Sequence, residues 1–417
     1  MDSAKADAGG FEIRRLPAPL YAIVFLPHGL LAGYVSVTLG FVLGHHGVSV
    51  AAVSGLVGLY LLPTTWAFLM GPVVDVSLTP RRWYAVMIVA LAACFLGFAL
   101  TPMTAAAVPL LGVLCFTGSA AGVCAGAGVT AAMALTTTHG ERGPIAGWFQ
   151  TANLGGAGLG GGLGLWIAGH AGPTAAGLTL AAITGVCGLP LLMMRVPPRL
   201  EGLALVPRVA SMSREVWTLA RTRTGVLAIL VMTLPAALGA STGLLPAAAG
   251  AWHASSDLVA LVRGALGGAT TIPGCIVGGY LCRRFRHRTV YTWGALVYAA
   301  GLAAMAAAPH TPFTFAAFII LNGVILGVAF GALTSVIYDT LGPTSPATVN
   351  ACLGSLANVP LLFATVLLGQ AERQLGVDGM LLTEAALGTV SVAAYSTLAW
   401  FWRPATMSLE GVEALAV

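Results

Sequence analysis

The chain has 417 residues, 58% of them hydrophobic and 8% charged, where a soluble domain has roughly 45–50% and about 25%. Its 19 basic and 14 acidic side chains are too few to clothe a globule of that length in polar surface, which excludes a soluble enzyme or binding module. The net charge of +5 is scattered between apolar runs and forms no basic face, so nucleic acid is excluded as a partner.

Twelve runs reach the length of about 20 apolar residues that a helix needs to cross a bilayer. They predict spans 1 to 12 near 18–43, 50–75, 83–102, 106–135, 146–168, 174–194, 224–248, 257–281, 290–308, 313–338, 349–370 and 379–402. The runs are continuous, whereas a membrane β-barrel would alternate over segments of about ten residues. Lys and Arg collect in cytoplasmic loops. With the amino terminus inside, seventeen of the nineteen fall on that face: Lys5, Arg14, Arg15, Arg81, Arg82, Arg142, the six of residues 195–223, the four of 283–288, and Arg403. Arg263 and Arg373 are the exceptions. Both termini are therefore expected in the cytoplasm, with no cleavable signal peptide.

Several features stand out in chain order. His28 lies midway along span 1 between Pro27 and Gly29. Between spans 2 and 3 the chain reads Gly71-Pro-Val-Val-Asp75-Val-Ser-Leu-Thr-Pro-Arg81-Arg82. Asp75 there can pair with an Arg or accept from a helix N-terminus and so join two parts of the bundle in one state only, or these can be ordinary anchoring charges. Gly118, Gly122 and Gly126 on span 4, and Gly156, Gly160 and Gly164 on span 5, recur every four residues and predict close helix approach. Gly156, Gly158 and Gly161 spell G-x-G-x-x-G, but no strand precedes them, so no dinucleotide site is expected. Gln150 and Asn153 share a face of span 5, as Ser355 and Asn358 do on span 11.

The longest connection, 195–223, divides the chain into six spans and six. Its later part sets Met212, Val216, Leu219 and Ala220 on one face and Arg214 and Arg221 elsewhere, which suits either an interfacial helix or a solvated linker. Arg263 lies about 9 Å into span 8 by helical rise. It could hold a substrate carboxylate or phosphate, or could snorkel outward or pair with Asp257 or Glu384. Glu384, a similar distance into span 12, is expected at the membrane interface, with a coupling role as the alternative. The expected domains are residues 1–194, a linker at 195–223 and residues 224–417.

Two six-helix halves joined by a basic loop, together with Gly71, Asp75, Arg81 and Arg82, resemble the major facilitator superfamily and its G-x-x-x-D-R-x-G-R-R signature. Val76 and the spacing before the Arg pair depart from it. The loop between spans 8 and 9, Gly278-Gly-Tyr-Leu-Cys282-Arg283-Arg284, is a degenerate second copy with Cys282 where Asp75 stands. Residues 47–75 and the stretch Ser345-Pro-Ala-Thr348-Val-Asn350 through Asn358 are similar to the peptide/acetyl-CoA/drug transporter branch, which includes muropeptide permeases and siderophore importers.

The superfamily resemblance implies an all-α fold of two pseudo-twofold-related six-helix bundles whose spans 1, 4, 7 and 10 line a central cavity. It nominates His28, Tyr34, Ser36 and Thr38, then Ser119 and Thr130, then Thr233, Ser241 and Thr242, and Asn322, Thr334, Ser335 and Tyr338, with Gln150, Asn153, Arg263 and Asn358 as further substrate-binding candidates and Gly71, Asp75, Arg81 and Arg82 as the gate. The expected function is secondary transport of a small to medium organic solute across a bacterial inner membrane by alternating access, in the direction of uptake. Proton coupling through His28 is one option, although no mid-membrane carboxylate on these spans would receive its proton. Efflux is the alternative; a membrane sensor or a membrane-embedded transferase is the rival of another class. The expected partners are the solute, the bilayer and, under that option, protons; a monomer is expected, without metal or cofactor.

Overall fold

The computed structural model describes residues 16–401 apart from 49, 193–204, 235–238, 260, 263–265 and 343–344. Every regular element among them is helical. Span 1 is Ala18–His45, with a π-helical stretch at Tyr34–Leu39. Span 2 comprises Val50–Thr65 and Ala67–Val76, bent by 48° at Trp66, and is followed by span 3 at Pro80–Leu100 and span 4 at Val108–Thr136. Span 5 starts as His139–Gln150, passes through a π-helical turn at Thr151–Gly155 and continues into Gly156–Cys187, whose second part is span 6. Span 7 begins at Arg223–Thr233 and resumes in short turns from Ala240; span 8 includes Leu266–Arg284. Spans 9 and 10 are His287–Ala307 and Pro312–Asp339, and spans 11 and 12 share Pro346–Phe401.

Local chemistry explains where these helices start. Thr79, Thr222 and Thr311 each accept a backbone N–H from the first turn that follows, and Thr138 forms a reciprocal capping box with Glu141. Pro80 and Pro312 occupy first helical positions, where a missing N–H costs nothing.

Glycines explain two of the reversals. An unbroken helix of 56 residues would extend about 84 Å, far beyond a bilayer. Gly376, at φ 72°, divides it into spans 11 and 12. Gly172, at φ 87°, divides spans 5 and 6 in the same way. A Cβ on Gly164 would lie 3.5 Å from Leu180, so the chain folds back on itself between them. The matching reversals fall at equivalent places in the two halves.

The contacts obey the same symmetry. A twofold axis that exchanges each span with the one six later turns a contact between spans 5 and 8 into one between 11 and 2, and a contact between 4 and 11 into one between 10 and 5. All four occur. Within the halves, the pairs 2–4, 3–4 and 1–5 recur as 8–10, 9–10 and 7–11. The fold is thus two related six-helix bundles, with spans 2, 5, 8 and 11 carrying the boundary between them.

The glycine stripe of span 5 packs as its spacing predicts. A Cβ on Gly156 would come within 3.1 Å of Leu26 O, and one on Gly160 would collide with the Leu30 carbonyl, so spans 1 and 5 touch backbone to backbone. These are contacts within one half. Across the boundary, Gly143 and Gly147 of span 5 meet Gly279 of span 8 equally closely. The segment Leu205–Arg221 is a helix that packs on spans 2 and 7, with Val216, Leu219 and Ala220 half-buried and Arg214 and Arg221 exposed. Arg221 covers the Trp217 ring at 4.4 Å. The side chain of Met212 lies outside the described residues.

Candidate functional site

A cavity of about 420 Å³ lies between the two halves. Span 1 contributes Phe25 and His28, span 4 contributes Gly122, Gly126 and Thr130, and span 5 contributes Phe149, Gln150 and Asn153. From the second half come Met232 of span 7, Tyr291 of span 9, Thr334 of span 10, and Asn350, Ser355 and Asn358 of span 11. No Asp, Glu, Lys or Arg is among the described lining residues.

The local fold places these groups. The π-helical turn at Thr151–Gly155 interrupts the regular spacing of span 5 where its amides meet the cavity. Gln150 Nε2 donates to Thr334 Oγ1 at 2.7 Å, and Asn153 Nδ2 donates to Gln150 Oε1 at 3.3 Å, so an amide chain runs from one half to the other. Gly122 makes room for His28, since a Cβ there would fall 2.7 Å from Nδ1. Among the described residues that nitrogen has no hydrogen-bond partner. Phe25 and Phe149 meet edge to face at 4.4 Å and floor the cavity, with Tyr338 beyond Phe149 at 6.2 Å.

Below the floor, at the end of the bundle that carries the Arg-rich connections, the halves are tied together twice. Asp75, 2% exposed, accepts from the backbone N–H of Ala347 at 3.3 Å and of Thr348 at 2.7 Å, and from the Thr348 hydroxyl at 2.8 Å. It thereby caps the start of span 11 with a full negative charge. Gly71, one turn earlier, lets the helices approach: a Cβ on it would sit 2.8 Å from Thr348 Cα and 2.9 Å from Ala347 O. The second tie is Arg142 at the start of span 5. Its Nη1 donates to the carbonyls of Tyr338 at 2.7 Å and Leu341 at 3.2 Å, at the end of span 10 where a cation is favoured. Arg81 and Arg82 are exposed at the head of span 3.

The expected site residues divide accordingly. His28, Gln150, Asn153 and Asn358 line the cavity, as do Thr130 and Thr334. Three candidates point elsewhere. Tyr34 is buried within the first half against Phe95 and Phe98, Asn322 faces Gly301 of span 9, and Tyr338 lies behind Phe149. Among the hydroxyls, Thr38 is consumed by the Gly160 and Gly161 carbonyls, while Ser36 and Thr233 bond their own helices. Arg263 lies outside the described residues. Sequence reasoning missed the interhelical role of Arg142 and the lining residues Thr64, Tyr291 and Asn350. For Asn350 a signal existed, since it sits two turns before Asn358 on one face of span 11.

The family model described as Major Facilitator Superfamily matches residues 21–408. Among solved structures, the E. coli fucose:proton symporter FucP superposes with a TM-score of 0.68 at 15% identity, over 91% of this chain and 97% of that one. The human organic anion transporter MFSD10 gives 0.66 at 18% identity, over 91% and 100%. The proton:xylose symporter XylE, bound to 6-bromo-6-deoxy-D-glucose, gives 0.64 at 16% identity, over 95% and 97%. No curated protein sequence matches the chain.

Proposed function

The chain belongs to the major facilitator superfamily, and on that premise we propose that it takes up an uncharged, hydrogen-bonding organic solute of small to medium size across a bacterial inner membrane, with both termini cytoplasmic and with alternating access between the halves 1–194 and 224–417 around the linker 195–223. The observation that carries the substrate class is the cavity lining. Amides contributed by both halves offer donors and acceptors together, aromatic faces flank them, and no full charge among the described residues waits for an ionic partner. A volume of about 420 Å³ suits a solute of this size.

His28, Gln150, Asn153 and Asn358 bind the solute in this reading. Gly71 and Asp75 form the gate at the basic end, which is the cytoplasmic end, and Arg142 joins them in place of the Arg81 and Arg82 pair. Closing this end while the other opens, then reversing, moves the solute without covalent chemistry. The branch resemblance of residues 47–75 and 345–358 favours uptake.

Counterflow in proteoliposomes tests the reading, with uncharged sugars and peptides, muropeptides, siderophores and acyl-CoA compounds offered in parallel. Uncharged solutes should exchange, and Gln150→Ala or Asn153→Ala should weaken their half-saturation by about ten-fold, the effect of one lost hydrogen bond with its partner left unpaired. Exchange restricted to anions and abolished by Arg263→Ala would transfer the binding role to Arg263 and overturn the uncharged class.

A further inference from the structure

Glu384 takes no part in the cavity; the sequence favoured the membrane interface over a coupling role for it. It is 1% exposed, eight residues beyond the turn at Gly376, about 12 Å along span 12 by helical rise. A carboxylate at that depth is costly unless its oxygens are satisfied. Oε1 accepts from the backbone N–H of Ala240 at 2.8 Å, and Oε2 from that of Ser241 at 3.2 Å.

Those amides are free because span 7 is interrupted. Its first helix ends at Thr233, Leu234 is extended, and the chain re-enters a turn after Gly239 at φ 83°. Non-helical backbone in a membrane protein needs a partner for each exposed amide. The interruption and the carboxylate therefore depend on each other. Just before it, Val231, Met232 and Leu234 line the cavity. Beside the carboxylate lies the fully buried hydroxyl of Ser241, which among the described residues has no other partner.

Among the described residues no cationic side chain forms an ion pair with Glu384. The other titratable groups on the elements around it are His287, Arg288, Tyr291 and Tyr298 on span 9, Tyr395 further along span 12, Cys352 on span 11, and Glu372 and Arg373 at its end. His310 and Asp378 pair with each other at 3.1 Å at the same end. Span 7 carries none between Val231 and His253, and Arg263 of span 8 lies outside the described residues.

We propose that Glu384 is a proton-binding site whose occupancy sets the position of the outer part of span 7. Ionised, it holds the Ala240 and Ser241 amides. On taking one proton from water it loses its charge, turns its O–H toward Ser241 Oγ and gives up one amide, which loosens the backbone directly above the cavity. This goes beyond the transport reading and is measured on the chain alone, so a failure of either leaves the other testable.

The full chain in lipid nanodiscs, followed by hydrogen–deuterium exchange and infrared difference spectroscopy across a pH series, tests it. After correction for intrinsic rates, the segment 239–248 should exchange about ten-fold faster once Glu384 is protonated, the effect of one lost bond to a charged acceptor. A carboxylic-acid C=O band should appear at the same midpoint. Glu384→Gln should lack the band and exchange at the fast rate at every pH, while Glu384→Asp should restore the response with a moved midpoint. An unchanged response in Glu384→Gln, or a response abolished by His310→Asn, would overturn the assignment. Should the Gln variant not fold, wild-type exchange whose midpoint departs from that of the band would overturn it as well.

Discussion

Asp75 joins the two halves through three hydrogen bonds in a site closed to solvent. Asp75→Asn keeps the shape but sets an amide N–H against one of the backbone N–H groups it must face, at a cost of about 2 kcal/mol for a charge-assisted bond. That corresponds to roughly a thirty-fold shift toward the state open at the basic end. Alkylation of a cysteine placed at Ala351, which is buried against Gly71, should accelerate accordingly; an unchanged rate would remove Asp75 from the gate. Such residues were partly legible in the sequence. Asp75, His28, Gln150, Asn153 and Asn358 stood out because a polar group inside an apolar run has few innocent explanations. Arg142 was read only as a topological marker, since a cation beside a loop looks the same whether it faces lipid headgroups or a helix end contributed by the other half. The burial of Glu384 was not foreseen for a related reason: Pro235 and Gly239 mark a break in span 7, but not that a carboxylate of span 12 satisfies the amides beyond it.

At the scale of elements, glycine spacing predicted which faces touch but not what they touch. Gly160 and Gly162 lie two residues apart on span 5. A Cβ on Gly160 would strike the Leu30 backbone, while one on Gly162 meets nothing within 4 Å. Gly160→Ala should therefore destabilise the protein by about 1–3 kcal/mol, as overpacking does, and Gly162→Ala by close to nothing; thermal unfolding in one detergent compares them. Equal effects would mean that the helix, and not the contact, is the sensitive feature. Gly172 is a sharper case, because its φ of 87° with ψ of 162° belongs to a region essentially closed to other residues. Gly172→Val should cost about 1–3 kcal/mol by the same measurement; a loss near zero would mean the reversal has other conformations open to it. The candidates Tyr34, Asn322 and Tyr338, which do not line the cavity, share one physical cause. Spans buried on almost every side carry no polar face from which their rotation can be read, so depth along the helix was predictable and azimuth was not.

At the scale of the molecule, the twelve spans and the division into sixes followed from apolar run length and from the placement of Arg, and the contact pairs related by exchange of spans confirm the architecture. The path of span 7 did not follow, because an interrupted helix and a continuous one have the same apolar content. The central claim is that the boundary formed by spans 2, 5, 8 and 11 must open at the basic end for solute to cross. Cysteines replacing Val74 of span 2 and Ala347 of span 11, which share one buried cluster across that boundary, would form a reversible lock there. With the cross-link formed, counterflow of an uncharged solute in proteoliposomes should fall to the level of protein-free vesicles and return on reduction. Undiminished counterflow through the cross-linked protein would contradict alternating access at this boundary.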